Sequence, residues 1–433
     1  MVNIYELNTR TWLKELSHKY QRHISLAGIP DEEILCFKEW GFDGIWLMGV
    51  WQSGPKAQEV ARHDARLMNE LRALVNGLKP EEVSGSPYAI ANYTVDSSLG
   101  TNQDIKKLRE RLNTHGIKLL LDFVPNHVGL DHAWLKENPD YFIQGSSEDL
   151  KNSPDLFFQL ADTKNIFAHG KDPYFLPWQD TAQLNYYNPL TRKAMTEVLG
   201  CISSFCDGVR CDMAMLILKR VQREVWKERV LGVGKFREPE PEFWQGAIAQ
   251  IKEIHPEFIF LAEVYWGMEQ ELTELGFDYV YDKSFYDFLK ESHIERIEEY
   301  MTEPREAACR KLKFIENHDE NRSISVFASP KYKAAAFLLA ISPGAHLYYQ
   351  GQLEGFRRKQ PLQLITPLGE EIDTSARAFY THLLGTLKDF SLDDTAWDSA
   401  VIFPAWKGNE TYKNFIGLFT KIRDTHYLAV VNY

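Results

Sequence analysis

The sequence predicts an α/β protein whose core is a closed (β/α)8 barrel of the TIM type. Eight apolar, strand-like runs follow one another along the chain, and most are followed by a segment with the 3.6-residue periodicity of a helix. Some of these runs, such as "IKLLLDFVP" at 117–125, are almost continuously apolar, which is typical of parallel strands covered by helices on both faces. Eight such units are the number that closes a barrel.

The eight predicted strands are, in chain order, "NIYEL", "FDGIWLMGV", "IKLLLDFVP", "DGVRCD", "FIFLAEV", "FDYVYD", "KLKFIEN" and "AHLYYQG". Helix signals lie between them. "PDEEILCFKEWG" has proline at its start and glycine at its end, and "TNQDIKKLRERLNTHG" is predicted to be capped by Thr101 or Asn102 and to stop at Gly116. "LTRKAMTEVLGCISSF" and "SPKYKAAAFLLAI" are further predicted helices.

Two insertions interrupt this alternation of predicted strands and helices. The first, 52–86, follows the second strand and includes the helix-like "AQEVARHDARLMNELRALV". The second, 129–189, is rich in aromatic residues, Asn, Asp and Pro, and follows the third strand. We therefore predict a barrel domain of 1–128 and 190–394 with a domain inserted at 129–189. Short strand patterns predict that 395–433 begins a β-rich C-terminal domain, truncated at the end of the chain.

The overall composition of the chain excludes some classes of binding partner. The formal net charge of −12 over 433 residues argues against binding to nucleic acid or an anionic membrane. No apolar run approaches the roughly 18–20 residues of a membrane span, and the N-terminus lacks a signal-peptide pattern. The five cysteines show neither CxxC pairing nor zinc spacing. These features predict a soluble cytoplasmic protein, with a mature secreted form as the alternative.

Polar residues fall at the ends of four predicted strands. Because the carboxyl ends of the strands meet at one rim of a barrel, where active sites lie, these side chains are expected to converge. They are Asp122, Asn126 and His127 after the third strand, Arg210 and Asp212 on the fourth, Glu263 on the fifth, and His318, Asp319 and Arg322 after the seventh.

Two of these carboxyl groups are predicted to have separated pKa values. Arg210 and Asp212 are two residues apart on a strand and share a face, so the arginine is expected to hold the pKa of Asp212 low. Glu263 lies on an apolar strand, where burial is expected to raise its pKa. Cleavage of the acetal bond between sugars needs such a pair, a nucleophilic carboxylate and a carboxylic acid. Asp319, His127 and His318 are suited to binding sugar hydroxyl groups.

Four segments resemble the motifs of the α-amylase family of glycoside hydrolases, family 13. They are "DFVPNH", "GVRCDMA", "FLAEVYW" and "FIENHDENR", and they occur in the family's order. "SPYAIANYTVDSSLGT" and "ISPGAHLYYQGQLEG" also resemble family segments. The similarity covers about residues 1 to 370, and the insertion at 129–189 resembles the family's domain B.

The resemblance implies a role for each residue. Asp212 matches the nucleophile, Glu263 the acid/base, and Asp319 the third carboxylate, which stabilises the transition state. The residues implied to line the sugar pocket are Asp122, His127, Arg210 and His318, with Tyr88 stacking on the sugar. The family's retaining mechanism implies about 5–5.5 Å between the Asp212 and Glu263 carboxyl groups.

The sequence departs from the family after the nucleophile. Where typical α-amylases carry a Lys-His pair that helps bind sugar and calcium, this chain has Met215 and Leu216. Asn126 matches another calcium ligand of the family, but it can equally brace its loop by hydrogen bonds. We therefore predict that no cofactor is required, with a structural calcium ion held through Asn126 as the alternative.

The predicted function is that of a retaining α-glycoside hydrolase acting on α-glucans or maltooligosaccharides. Three alternatives stay open at this point. The first is an α-glucan transglycosylase of the glucanotransferase or maltosyltransferase type, and the second is a catalytically silent carbohydrate-binding barrel. The third is a metal hydrolase with His127, His318, Asp122 and Asp319 as ligands. The predicted partner is an oligo- or polysaccharide substrate, with neither nucleic acid nor membrane.

Overall fold

A computed structural model describes residues 2–161, 163–388, 396–422 and 424–433. Its centre is a closed barrel of eight parallel strands in chain order, in which the last strand pairs with the first. The strands are β1 (Val2–Asn8), β2 (Gly44–Met48), β3 (Lys118–Phe123), β4 (Gly208–Cys211), β5 (Ile259–Ala262), β6 (Tyr279–Tyr281), β7 (Lys311–Lys313) and β8 (Ala345–Tyr349). The predicted fold class and all eight predicted strands are confirmed.

Helices surround the barrel and follow its strands. The α-helices are Thr9–Lys19, Asp31–Glu39, Pro55–His63, Ala65–Leu74, Asn102–Thr114, Trp134–Glu137, Ser147–Asn152, Pro189–Ser203, Lys219–Trp226, Phe243–Ile254, Glu269–Glu274, Lys283–Glu291, Ile294–Met301, Arg305–Ala308, Ser323–Val326, Lys331–Ile341 and Thr374–Lys388. Within the described ranges, no helix is both long enough and apolar enough to cross a bilayer.

Local capping explains where individual helices begin. The Thr101 hydroxyl accepts a hydrogen bond from the backbone N–H of Asp104, and the Asp104 side chain accepts one from the Thr101 N–H in return. The predicted cap at Thr101 is thus confirmed. The helical pattern of 57–75 instead forms two helices, because Asp64 ends the first and caps the second through the N–H groups of Arg66 and Leu67.

The insertion at 129–189 is a folded unit attached to the end of β3. The strand His127–Gly129 pairs with Thr181–Gln183, so the two ends of the insertion are joined at its base. A three-stranded sheet with its own apolar cluster lies farther out, and its strands are Gln144–Gly145, Ile166–Ala168 and Phe157–Gln159. This anchoring holds the insertion over the carboxyl ends of the barrel strands.

A three-stranded antiparallel sheet follows the barrel. Its strands are Asp398–Ser399, Phe415–Ile422 and Thr425–Asn432, in agreement with the predicted β structure after the barrel. The run "AVIFPAW" at 400–406, one of the short strand patterns that predict this β structure, lies outside these strands. Pro404 cannot donate to a ladder, and Val401, Phe403 and Trp406 are exposed. The predicted boundary at 394/395 lies outside the described residues.

Candidate active site

A cavity of about 920 Å³ opens at the carboxyl ends of the barrel strands, between the barrel and the insertion. Six of the predicted site residues line it: Tyr88, His127, Asp212, Glu263, His318 and Asp319. Asp122 and Arg210 are not among the lining residues and are almost completely buried. The structure therefore brings the predicted residues together, with two of them in a layer behind the cavity wall.

Arg210 connects the two carboxylates that the resemblance makes catalytic. Its NH1 lies 2.6 Å from Oδ1 of Asp212, and its NH2 lies 2.9 Å from Oε2 of Glu263. The arrangement follows from the sequence, since Asp212 directly follows β4, two residues after Arg210, while Glu263 directly follows the neighbouring β5. One buried guanidinium thus fixes both carboxyl groups relative to each other.

The predicted pKa of Asp212 was wrong in direction. Burial raises the pKa of Asp212 above its ordinary value, because the loss of water outweighs the charge and hydrogen bond of Arg210. The negative charge of the nearby Asp319 adds to this rise. The arginine therefore moderates the pKa of Asp212 rather than setting it below the usual range.

The predicted pKa of Glu263 is confirmed. Burial raises it to about 7, with Arg210 opposing the rise and Asp212 adding to it. Oε2 of Glu263 accepts a hydrogen bond of 2.6 Å from the Met213 N–H, and Oε1 accepts one of 3.0 Å from the Tyr265 hydroxyl. A carboxyl group with a pKa near neutrality can give a proton in one step and take one back in the next.

The third carboxylate, Asp319, belongs to a chain of charged groups. His318 lies with Nε2 3.0 Å from Oδ2 of Asp319 and Nδ1 2.5 Å from Oε1 of Glu6. Burial lowers the pKa of His318, but the two carboxylates outweigh it and raise the pKa to about 10. Burial alone would raise the pKa of Asp319. The charge of His318 outweighs that effect and holds the pKa of Asp319 well below the usual range. His318 is therefore an imidazolium that keeps Asp319 ionised.

Glu6 is a residue of this charged chain that the sequence analysis missed. It is completely buried at the end of β1, and its Oε2 has no hydrogen-bond partner. The sequence feature that could have identified it is a charged residue within the apolar run "NIYEL". A carboxylate is rarely buried in this way unless it is paired, so the residue was a candidate for the rim from the start.

Tyr88 and His127 form another part of the cavity wall. The Tyr88 hydroxyl lies 3.0 Å from Nε2 of His318, which places its ring beside the chain of charged groups. Burial lowers the pKa of His127 to about 3, so its imidazole is neutral at physiological pH. Its ring centre lies 5.0 Å from that of Trp178, a residue of the insertion. Both residues line the cavity.

Asp122 supports the rim from behind the cavity. Its carboxylate accepts hydrogen bonds from Nε1 of Trp46 at 3.0 Å and from the Gly49 N–H at 2.7 Å. Burial raises the pKa of Asp122 to about 6 against the opposing charge of Arg210. These contacts tie the end of β3 to the end of β2, and the predicted contact between Asp122 and sugar stays a prediction.

The environment of Asn126 does not fit a calcium site. Its side-chain oxygen accepts a hydrogen bond of 2.8 Å from Nε2 of Gln183, and its Nδ2 donates to Oε1 of the same residue at 3.2 Å. Calcium takes six or more oxygen ligands, usually with carboxylates among them. Within the described ranges, no group of three His, Cys, Asp or Glu side chains is placed to hold a metal. Gln183, which the sequence analysis did not single out, braces the insertion through Asn126.

The two residues that depart from the family pattern are part of the core. Met215 and Leu216 lie in the 3₁₀ helix Ala214–Ile217 and are buried in the main apolar cluster. Before them, Met213 lines the cavity with a left-handed backbone, at φ 42°. Apolar side chains therefore replace the polar pair by packing inward.

Comparison with known proteins agrees with this architecture. A family model described as "Alpha amylase, catalytic domain" matches residues 25–402. The 4-alpha-glucanotransferase of Thermotoga maritima is 25% identical over 363 residues, which are 77% of this chain and 69% of that protein. An alpha-1,4-glucan:maltose-1-phosphate maltosyltransferase of Arcanobacterium haemolyticum is 28% identical over 51% of this chain and 27% of its own.

Solved structures share the fold at lower identity. The maltogenic alpha-amylase AmyB of Thermotoga neapolitana superposes with a TM-score of 0.66 at 19% identity, covering 100% of this chain and 85% of that one. The trehalose-6-phosphate hydrolase of Bacillus licheniformis superposes with a TM-score of 0.67 at 16% identity, covering 100% and 90%. This chain belongs to the α-amylase family and is an enzyme of that family.

Proposed function

We propose that the protein is a retaining glycosidase that hydrolyses α-glucans or maltooligosaccharides. The observation that carries the proposal is the pair of buried carboxyl groups on one arginine, Asp212 at 2.6 Å and Glu263 at 2.9 Å, inside the cavity at the end of the barrel. A pair of carboxyl groups flanking the bond is what glycoside hydrolysis requires. The separation of about 5–5.5 Å expected of a retaining enzyme stays a prediction.

In the first step, Asp212 attacks the anomeric carbon of the sugar and forms a glycosyl ester. Glu263 gives its proton to the glycosidic oxygen, so the leaving sugar departs as an alcohol. The pKa of about 7 supports this role, because Glu263 holds a proton at and below neutrality and the charge of Asp212 helps keep it there. Arg210 balances the negative charge that remains on the pair.

In the second step, water displaces Asp212 from the anomeric carbon. Glu263, now a carboxylate, takes a proton from that water and returns to its starting state. The proposed role of Asp319 and His318 is to hold hydroxyl groups of the same sugar by charged hydrogen bonds, which strengthen as the ring becomes cationic. The ionised state of Asp319 beside the imidazolium of His318 supports that role.

The charge of the cavity favours a neutral glucan over a sugar phosphate. Seven carboxyl groups line it. Two cations also line it and both are paired with carboxylates, the imidazolium of His318 with Glu6 and Asp319, and Lys283 with Asp287 at 2.6 Å and Glu320 at 3.2 Å. The seven are Asp172, Asp180, Asp212, Glu263, Glu269, Asp287 and Asp319. A phosphate group would be repelled in such a field. We therefore propose a glucan donor rather than the maltose 1-phosphate in the name of the maltosyltransferases.

Two alternatives have less support. A silent carbohydrate-binding barrel would not need a glutamic acid whose pKa is raised to about 7 beside a second buried carboxylate. A metal hydrolase would need His127, His318, Asp122 and Asp319 to form one ligand set. In the described part of the chain they do not, and Asp122 is instead held by Trp46 and Gly49.

Calcium independence is part of the proposal. Since Gln183 already occupies the Asn126 oxygen, activity is expected to be the same after dialysis against EDTA as after addition of excess calcium. A loss of more than half the activity in EDTA, restored by calcium, would contradict this. The control is the unfolding temperature in both buffers, which is expected not to change.

We also propose that the protein works in the cytoplasm and binds no nucleic acid. All five cysteines are described and all are free thiols, which suits a reducing compartment. The net charge of −12 disfavours polyanionic partners. Cell fractionation with an antibody tests the location, and recovery in the culture medium would overturn it.

Analysis of the products formed from maltoheptaose tests the function. The wild-type protein is expected to release shorter sugars, and Glu263→Gln is expected to lower the rate at least about a hundredfold, the usual contribution of a general acid. Asp212→Asn is expected to remove turnover. Near-wild-type rates in either variant would overturn the assignment. Glu59→Gln, a change at an exposed glutamate, is the matched control.

A further inference from the structure

Two segments of the chain meet over one side of the barrel mouth. One is 82–86, at the end of the insertion after β2, and the other is 359–366, in the loop after β8. We call these two segments together the end wall. Ser86, Leu362 and Gln363 of the end wall line the catalytic cavity. The end wall is therefore part of the surface that a substrate meets.

Backbone hydrogen bonds join the two segments of the end wall. The Ser84 N–H donates to the Gln363 carbonyl at 2.8 Å, and the Ile365 N–H donates to the Glu82 carbonyl at 3.0 Å. These bonds form a short antiparallel ladder between loops that are almost 300 residues apart in sequence. The two segments therefore form one continuous piece of wall.

An apolar cluster supports this ladder from behind. Val83 and Leu364 lie opposite each other in the ladder, and both side chains are completely buried. They pack in a cluster of their own with Ala61, Met68 and Leu71, which belong to the two helices of the insertion after β2. Opening the end wall would expose this cluster to water, so burial of the cluster holds the end wall closed.

The end wall fills a gap in the rim of the barrel. Strand β1 passes directly into the helix Thr9–Lys19, which Asn8 caps, so β1 contributes no loop to the rim. Arg10 of this helix donates hydrogen bonds to Oγ of Ser84 at 2.9 Å and to the Gly85 carbonyl at 3.1 Å. The end wall thus lies over the carboxyl end of β1 and is fastened there.

The end wall is linked at both ends to the groups proposed to hold the sugar. At one end, Tyr88 follows Ser86 by two residues, and its hydroxyl lies 3.0 Å from Nε2 of His318. At the other end, Nζ of Lys359 donates a hydrogen bond to the Asp319 carbonyl. Since His318 and Asp319 are neighbours in the chain, the end wall and these groups form a closed ring of covalent and hydrogen-bonded links.

The end wall lies on the side of the barrel away from the proposed acid. In the strand order of the closed barrel, β5 lies opposite β1, and Glu263 directly follows β5. The leaving sugar lies at Glu263, which protonates its oxygen. The sugar that becomes bound to Asp212 lies beside His318 and therefore faces the end wall. That sugar carries the anomeric carbon of the broken bond, so it belongs to the non-reducing part of the glucan.

We propose that the end wall receives the non-reducing end of the glucan, so that the enzyme shortens chains only from that end and by one fixed length at each cut. The inference rests on the proposed function and adds exo action to it. A chain that continued past the retained sugar would have to break the ladder and expose its buried cluster. Bonds in the interior of a long glucan therefore do not reach Asp212 and Glu263.

The test compares two forms of maltoheptaose, both labelled at the reducing end with 2-aminobenzamide. One has a free non-reducing glucose, and the other carries a 4,6-O-ethylidene group there. Wild type is expected to shorten the free form by the same number of glucose residues at every cut, as chromatography of the labelled fragments shows. The blocked form is expected to react at least about a hundredfold more slowly, because its scissile bond is held out of place.

A pair of variants tests whether the end wall is responsible. Leu364→Asp places a charge in the buried cluster and is expected to open the end wall. Its rate on the blocked form is expected to be at least about tenfold above that of wild type, part of the hundredfold that misplacement costs. Leu364→Met keeps an apolar side chain of similar volume, so it is the matched control and is expected to behave like wild type.

The outcomes separate the inference from the proposed function. Similar rates on both forms, with labelled fragments of many lengths from the start, would overturn the inference and leave the hydrolase standing. A folded Leu364→Asp variant that rejects the blocked form as strongly as wild type would also overturn it. Failure of wild type to cleave the free form would overturn both. Far-ultraviolet circular dichroism and thermal melting identify a misfolded variant, and the wild-type comparison then decides.

Discussion

Arg210 governs the electrostatics of the site at the scale of single residues. It is completely buried and forms ion pairs with two carboxyl groups, and its charge opposes the rise in their pKa values that burial causes. Glu263 still reaches a pKa of about 7, because desolvation is larger than the attraction of the arginine. A second charged chain, from Glu6 through His318 to Asp319, keeps the third carboxylate ionised.

The pH dependence of kcat/KM follows from these groups. Glu263 must carry a proton for the first step, so activity is expected to fall as the pH rises through about 7. Asp212 must be ionised, so activity is also expected to fall at acid pH, through a pKa above the ordinary range of an aspartate. A profile measured on maltoheptaose checks both limbs. Constant activity up to pH 9 would contradict the role of Glu263.

Glu6 is predicted to be a positioning residue for His318. Glu6→Gln removes one of the two carboxylates that raise the pKa of His318 and is expected to lower kcat/KM about tenfold, the effect of one charged hydrogen bond. The imidazole signal of His318 in a histidine NMR titration is expected to move to a lower pKa. A merely structural role would lower stability and leave that pKa unchanged. Glu59→Gln again serves as the control.

At the scale of elements, a buried hydrogen-bonded clamp fastens the base of the insertion to the barrel. His127 lies on the strand His127–Gly129, which pairs with Thr181–Gln183, and the Asn126 amide is bonded twice to Gln183. The same strand pair places His127 in the cavity wall. The insertion therefore positions catalytic-site residues through hydrogen bonds as well as through packing.

Removal of this clamp is expected to weaken the fold. Gln183→Ala leaves the buried amide of Asn126 without its partner and is expected to lower the free energy of unfolding by about 1–3 kcal/mol. Denaturant unfolding measures the change. Lys151→Ala, at an exposed lysine of the same insertion, is expected to stay within about 0.5 kcal/mol of wild type. Equal stability of the two variants would contradict the role of the clamp.

Strand periodicity predicted the elements well, because a parallel strand must be apolar on both faces and helices carry their own capping signals. All eight barrel strands and the cap at Thr101 could be read in this way. The break at Asp64 was missed because one helical pattern runs through it, although a capping residue interrupts the helix.

At the scale of the whole molecule, the closed barrel brings residues from separate strands together into one site. Strand ends that are far apart in sequence meet at one rim, so the positions of Asp212, Glu263 and Asp319 could be predicted. Their pKa values could not all be predicted, because burial depends on neighbours from distant segments. Desolvation reversed the expected direction of the pKa shift for Asp212. Glu6, which raises the pKa of His318, is 312 residues away from it in the sequence.

The account depends most on a covalent intermediate at Asp212, and the stereochemistry of hydrolysis tests it directly. Proton NMR of the first product released from maltoheptaose distinguishes the two anomers before they equilibrate. We predict that the α-anomer appears first, because two displacements at the anomeric carbon retain its configuration. Initial release of the β-anomer would mean a single displacement by water and would contradict the role of Asp212 as nucleophile.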